Sequence, residues 1–138
     1  MLRALFALLG ELVDSMLPDS RPEGNVGLGR RGERMAERHL RSRGYQILER
    51  NFRAAGAEID IVASERGTLV FIEVKARRAF SSGAPQEAVD GRKQTRIRRA
   101  AEIYLDRHRA GERPVRFDVV AISWDKRPPK IELLRDAF

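Results

Sequence analysis

Two runs rich in β-branched and apolar residues, "AEIDIVAS" (residues 57–64) and "TLVFIEVKAR" (residues 68–77), are separated only by "ERG". So short a spacer turns the chain back on itself, and Gly67 supplies the positive φ that a hairpin turn often needs. The two runs are expected to be neighbouring antiparallel strands. That constraint decides which side chains meet. Side chains alternate along a strand, so Phe71, Glu73 and Lys75 share one face and Val70, Ile72 and Val74 share the other. If the turn closes with Ala63 opposite Thr68, Asp60 falls opposite Phe71 and diagonal to Glu73, within reach of a shared ion. A slip of one residue would send Asp60 to the other face.

The rest of the chain supplies elements to flank this hairpin. Leu2, Leu5, Phe6, Leu9, Leu12, Val13, Met16 and Leu17 recur at helical spacing and predict an amphipathic helix over residues 1–17. Residues 18–29, with two prolines and three glycines, read as a linker, and residues 30–138 as the folded domain. Within it, Met35, Ala36, His39 and Leu40 make one stripe of a helix from about Arg30 to Arg43, stopped by Gly44. Glu33 lies along the edge of its buried face. "YQILERNF" reads as an edge strand. After a loop holding Ser81, Ser82, Gly83 and Pro85, a long helix is marked by Val89, Ile97, Ala100, Ala101, Tyr104 and Leu105. "VRFDVVAISW" and "KIELL" follow as a fourth and a fifth strand. This order favours an α/β fold in which a mixed sheet is flanked by helices.

Composition narrows the chemistry. There is no cysteine, which removes disulfides, thiolate nucleophiles and zinc sites of the cysteine type, and fits a cytoplasmic location. The leucine-rich start is interrupted by Glu11 and Asp14 and is too short to span a bilayer, so neither a signal peptide nor a transmembrane helix is expected. A net charge of +7 and a pI near 10.7 favour an anionic partner, nucleic acid or an acidic membrane surface. An arginine-rich composition produces the same charge whatever the task.

Of 27 basic residues only Lys75, Lys93, Lys126 and Lys130 are lysine, so position 75 invites a reason for an amine. Asp60 and Glu73 brought together would repel, and one would protonate unless a cation compensates. A hard divalent ion does this, taking oxygens from Asp60, Glu73 and the Val74 carbonyl. Lys75 is then placed to orient a metal-bound water or to stabilise charge developing on phosphorus. The plainer alternative for Glu73 and Lys75 is a pair of exposed charges guarding an edge strand. For Asp60 it is a solvated residue near a hairpin end, and for Glu33 a first-turn acid favoured by the helix dipole. Glu58 shares the face of Asp60 and could substitute as a ligand.

"EID", a turn and "FIEVK", preceded by "GERMAERHL" and followed by "GRKQTRI", resemble the PD-(D/E)XK nuclease superfamily, which includes restriction endonucleases and Holliday-junction resolvases. "GRRGERMAERHLRSRGYQILERNFR", "GAEIDIVA" and "LVFIEVKAR" more closely resemble the YraN-like group of bacterial proteins, over roughly residues 28–138. The resemblance implies a restriction-endonuclease-like fold with an α-β-β-β-α-β core. It implies Asp60 and Glu73 as ligands of Mg²⁺ or Mn²⁺, Lys75 as the catalytic lysine and Glu33 as a supporting acid. Lys93 and Gln94 at the start of the second long helix are within reach of a phosphate or the attacking water, unless Lys93 merely snorkels. Arg92, Arg96 and Arg99 form a basic stripe suited to phosphates, or to solvent. Asp118 interrupts an apolar strand and is expected to pair with an arginine.

The expected function is metal-dependent hydrolysis of phosphodiester bonds in DNA, with a non-catalytic nucleic-acid-binding module as the alternative. A homodimer would serve two scissile strands. The N-terminal helix would offer a docking or membrane-surface contact.

Overall fold

The computed structural model describes residues 25–78 and 89–138. The expected helix over 1–17, most of the linker, and the loop with Ser81, Ser82, Gly83 and Pro85 lie outside the described residues. The first described element, helix α1, is Asn25–Ser42, followed by strands β1 (Gln46–Ala54), β2 (Ala57–Glu65) and β3 (Thr68–Arg77). Helix α2 (Gly91–Arg107) then leads to β4 (Val115–Ser123) and β5 (Lys130–Leu134).

Among the described residues the strands form one five-stranded sheet in the order β1-β2-β3-β4-β5. Neighbours pair antiparallel, except that β3 and β4 are parallel. A parallel pair cannot be joined by a tight turn, and α2 makes the crossover. This mixed sheet flanked by helices is the architecture expected from the order of elements, and it is consistent with the restriction-endonuclease-like core that the resemblance implies.

The two sheet faces bury different cores. Phe71, Val62 and Val119 pack with Ile97, Ala100, Ala101 and Tyr104 of α2. Ile61, Ala63, Val70, Ile72, Val120 and Ile122 pack with Ala36 and Leu40 of α1. The strands between them are covered on both sides, which is why "LVFI" runs apolar without alternation.

α1 starts at Asn25, five residues before the expected start and inside the stretch read as linker. Glycine lowers helix propensity by only about 1 kcal/mol per residue, and a helix held by packing at Ala36 and Leu40 carries on through Gly27 and Gly29. Gly32 has a positive reason to be glycine. A Cβ there would stand 2.8 Å from the Ala76 Cβ, closer than carbon atoms pack, so α1 lies against β3 only because that carbon is missing.

The β2–β3 register differs from the expected one. Glu65 pairs with Thr68, Ala63 with Val70, and Ile61 with Ile72. The turn is the two residues Arg66 (φ 48°) and Gly67 (φ 82°), both left-handed, the geometry whose twist matches that of paired strands. The register is displaced by two residues, an even number, so every side chain keeps its expected face. One step beyond Ile61 and Ile72, Asp60 stands opposite Glu73 itself instead of diagonal to it.

A second polar centre lies on the α1 side of the sheet. Asp118 is fully buried and accepts from Arg116 Nε (2.8 Å) and Nη2 (3.0 Å), Tyr45 Oη (2.9 Å) and the Asp136 amide (2.9 Å). Arg116 Nη2 also reaches Glu65, which Arg135 joins at 2.9 Å. The expected arginine partner of Asp118 is thus Arg116, and the cluster fastens Tyr45 just ahead of β1, the end of β2, β4 and the C-terminal residues together. Trp124 packs against the same core.

Candidate active site

Asp60 and Glu73 sit on two interior strands, β2 and β3, on the face covered by α2. The alternative of exposed edge-strand charges therefore does not hold: Glu73 is 5% exposed. Asp60 is half-buried, and its Oδ2 accepts the Val74 amide at 2.8 Å. That bond fixes the Asp60 carboxyl against β3 and uses the amide, not the carbonyl, of Val74. Burial first, and then the charge of Glu73, push the Asp60 pKa up to about 8.

Both nearby lysines meet the same oxygen. Glu73 Oε1 is in contact with Lys93 Nζ and lies 3.5 Å from Lys75 Nζ. Glu73 Oε2 is buried with no hydrogen-bond partner. Burial lowers the Lys75 pKa, and the hydrogen bond and charge of Lys93 lower it further. Burial opposes the charge on Lys93 too, but the hydrogen bonds to Glu73 and Lys75 outweigh it and leave that pKa raised. One ammonium is thereby held charged while its neighbour gives up its proton more readily.

Asp60, Glu73 and Lys93 lie in a cleft of about 660 Å³ lined also by Glu33, Gly56, Ala57, Glu58, Asp90, Arg92, Arg96 and Ile97; Lys75 touches Glu73 but is not part of that lining. Glu33 is half-buried and adds to the negative field at Asp60. It stands well past the first turn of α1, so the helix dipole does not account for it. The close approach at Gly32 carries its neighbour Glu33 to the cleft. Glu58 lines the wall and pairs with Arg53 at 3.3 Å.

The α2 residues divide. Arg92, Lys93 and Arg96 line the cleft. Arg99 is exposed on the same stripe but is not part of the lining. Gln94 spends its amide on the Val89 carbonyl at 2.9 Å, bracing the start of α2. The sequence reading missed Asp90, which caps α2 by accepting the Lys93 amide at 2.9 Å and lines the cleft. An aspartate three residues before a lysine at a helix start was the available signal. It also missed the contact of Lys93 with Glu73, having placed Lys93 within reach of a phosphate or the attacking water.

Could this donor set hold a metal? Among the described residues no three or more histidine or acidic side chains converge as a ready-made site. The floor offers a pair of carboxylates, with Glu33 at the wall. A paired carboxylate with a raised pKa beside a buried oxygen without a partner is a set that a hard cation satisfies. Water would complete the coordination. Among the described residues no helix is long and apolar enough to cross a membrane.

The family model described as uncharacterised protein family UPF0102 matches residues 32–122, a stretch that contains the whole cleft. A UPF0102 protein of Desulforapulum autotrophicum is 50% identical over 111 residues, covering 80% of this chain and 92% of its own. One from Syntrophus aciditrophicus is 46% identical over 114 residues, covering 83% and 90%. One from Rhodococcus opacus is 46% identical over 115 residues, covering 83% and 98%.

Proposed function

The chain belongs to the uncharacterised protein family UPF0102, and from that starting point we propose that it is a divalent-metal-dependent nuclease acting on phosphodiester bonds in DNA. One observation carries the reading: Asp60 and Glu73 lie together in a single cleft that Arg92, Lys93 and Arg96 also line, with Lys75 behind them, 3.5 Å from Glu73 Oε1. Acids to hold a cation and bases to hold an anion face the same space. A phosphodiester bound through Mg²⁺ or Mn²⁺ needs both.

Asp60 and Glu73 are the residues that would hold the metal. When bound, it would supply Lewis acidity to the phosphoryl oxygens and lower the pKa of coordinated water. The protein's own groups do the rest. Arg92 and Arg96 are exposed guanidiniums with the geometry and charge to engage backbone phosphates. Lys75, beside Glu73 and with its pKa lowered by burial, can pass or accept a proton at the attacking water, a task for which a guanidinium is unsuited. The Val74 amide keeps Asp60 aimed at β3 while charge moves around it.

A labelled panel of duplex, single-stranded, flapped and four-way-junction DNA, incubated with Mg²⁺ or Mn²⁺, tests this. Metal-dependent cutting that Asp60→Asn abolishes, with binding retained, is the expected result. Binding to every substrate with no product under any metal would overturn it in favour of a non-catalytic nucleic-acid-binding module.

A further inference from the structure

Lys93 does something that a phosphate-binding lysine would not be expected to do: its ammonium is turned to the floor of the cleft and rests on Glu73 Oε1. We infer that Lys93 is an exchangeable counter-ion, occupying the cation position beside Glu73 until a divalent metal displaces it, so that metal entry is a competition with the protein's own ammonium. The inference rests on the proposed metal site and concerns how that site is regulated.

Four observations carry it. The contact is made through a single carboxylate oxygen, and Oε2 stays buried without a partner, so the ammonium neutralises Glu73 without saturating it. The first turn of the helix does little to favour the charge where it is. Lys93 is in the first turn of α2, a turn with no acidic residue of its own; the capping Asp90 is engaged with the Lys93 amide, and the helix dipole opposes a cation there. Its own residue type matters as well. Both cations against Glu73, Lys75 and Lys93, come from the four lysines of a chain with 27 basic residues. A guanidinium would take both carboxylate oxygens in a fork and hold them, whereas an ammonium on a flexible stem makes one bond and can leave. Finally, the Lys93 side chain is 36% exposed against 20% for Lys75. Its way out leads into the cleft beside Arg92 and Arg96, not through the core.

A doubly charged ion on either oxygen of Glu73 would stand next to this ammonium, and the two repel at that range. Removing the charge should therefore tighten metal binding.

The test is Mn²⁺ titration of the full-length, nucleic-acid-free protein by calorimetry, comparing wild type with Lys93→Met, Lys93→Gln and Arg96→Met. Circular dichroism would confirm that each variant folds. Lys93→Met keeps most of the stem and removes the charge, and Lys93→Gln serves if the thioether packs badly. Binding about tenfold tighter in the Lys93 variants is expected, as for loss of a charge-assisted bond that had to be broken. Arg96→Met, which removes a cleft charge not in contact with Glu73, should change it by less than about twofold, far below one such bond. Equal affinity in wild type and the Lys93 variants, abolished by Asp60→Asn, would overturn the exchange and leave the metal site standing. Equal tightening by Arg96→Met would reduce the effect to the general field of the cleft and also overturn it. Absence of Mn²⁺ binding in wild type and both Lys93 variants would refute the metal site itself, and the exchange with it.

Discussion

The Val74 amide donates to Asp60 Oδ2 at 2.8 Å, a bond from the backbone of one strand to the side chain of its neighbour. It holds a carboxyl group close to Glu73 where electrostatics alone would drive the two apart. Burial first, and then the charge of Glu73, hold the Asp60 pKa near 8.

Stability of the metal-free protein should therefore depend on pH in a direction set by Asp60. An unfolded aspartate titrates near 4. Between about pH 4 and pH 8 the folded state binds the extra proton, so stability falls as pH rises through that window. Asp60→Asn keeps an acceptor for the Val74 amide and cannot ionise. Thermal melts in chelator should show the variant close to wild type near pH 4 and higher by about 3–6 °C above pH 8. Parallel profiles for the two proteins would contradict the raised pKa.

Gly32→Ala tests the contact of α1 with β3. Alanine improves helix propensity by about 1 kcal/mol, yet the new Cβ would lie 2.8 Å from Ala76 Cβ, with no flexible side-chain end to give way. Overpacking should win, for a net loss of about 1–2 kcal/mol in urea unfolding. The paired change Gly32→Ala with Ala76→Gly should recover part of it. A stabilised single variant would mean that α1 can lift without penalty.

Asp118→Ala removes the acceptor of four hydrogen bonds and leaves Arg116 without its main partner inside the fold. A loss of about 3–5 kcal/mol is expected. Tyr45→Phe removes one donor from the same cluster and should be milder, about 1–2 kcal/mol. Chemical denaturation of the two variants would order them, and a reversed order would show that the carboxylate is not the centre of the cluster.

Arg96→Ala should weaken DNA binding evenly across sequences, because a phosphate contact carries no base information. The dependence of log affinity on log salt should become shallower by about one. Fluorescence anisotropy between low and moderate salt measures it. An unchanged slope would place the DNA path elsewhere on the protein.

What could be read from the sequence follows the range of the interactions. The hairpin, and with it the pairing of Asp60 with Glu73 on one face, was legible because a short spacer and a two-residue period are local facts. The register came out two residues away because "ERG" does not say whether Glu65 belongs to the turn or to the strand. The contact of Lys93 with Glu73 was hidden, since it depends on where α2 docks after the crossover. Tyr45 and Glu65 as companions of Asp118 were hidden for the same reason: three strands must assemble before they meet. The start of α1 was misplaced because its glycines were weighed as breakers, when packing further along the helix overrides them.

The sheet lays its strands side by side in the order in which the chain supplies them, and this gives the site a history. Asp60 and the Val74 amide are 14 residues apart in sequence and joined through one tight turn, a closure that hairpins complete in about 1–10 μs. Lys93, 20 residues beyond Glu73, arrives only when α2 docks and β4 pairs in parallel, the long-range and slower part of such a topology. The carboxylates, with Lys75 beside Glu73 on the same strand, are therefore expected to come together before Lys93 arrives. On that order, docking of α2 would also be an act of charge neutralisation, with the Lys93–Glu73 contact adding an attraction to the hydrophobic packing of the crossover.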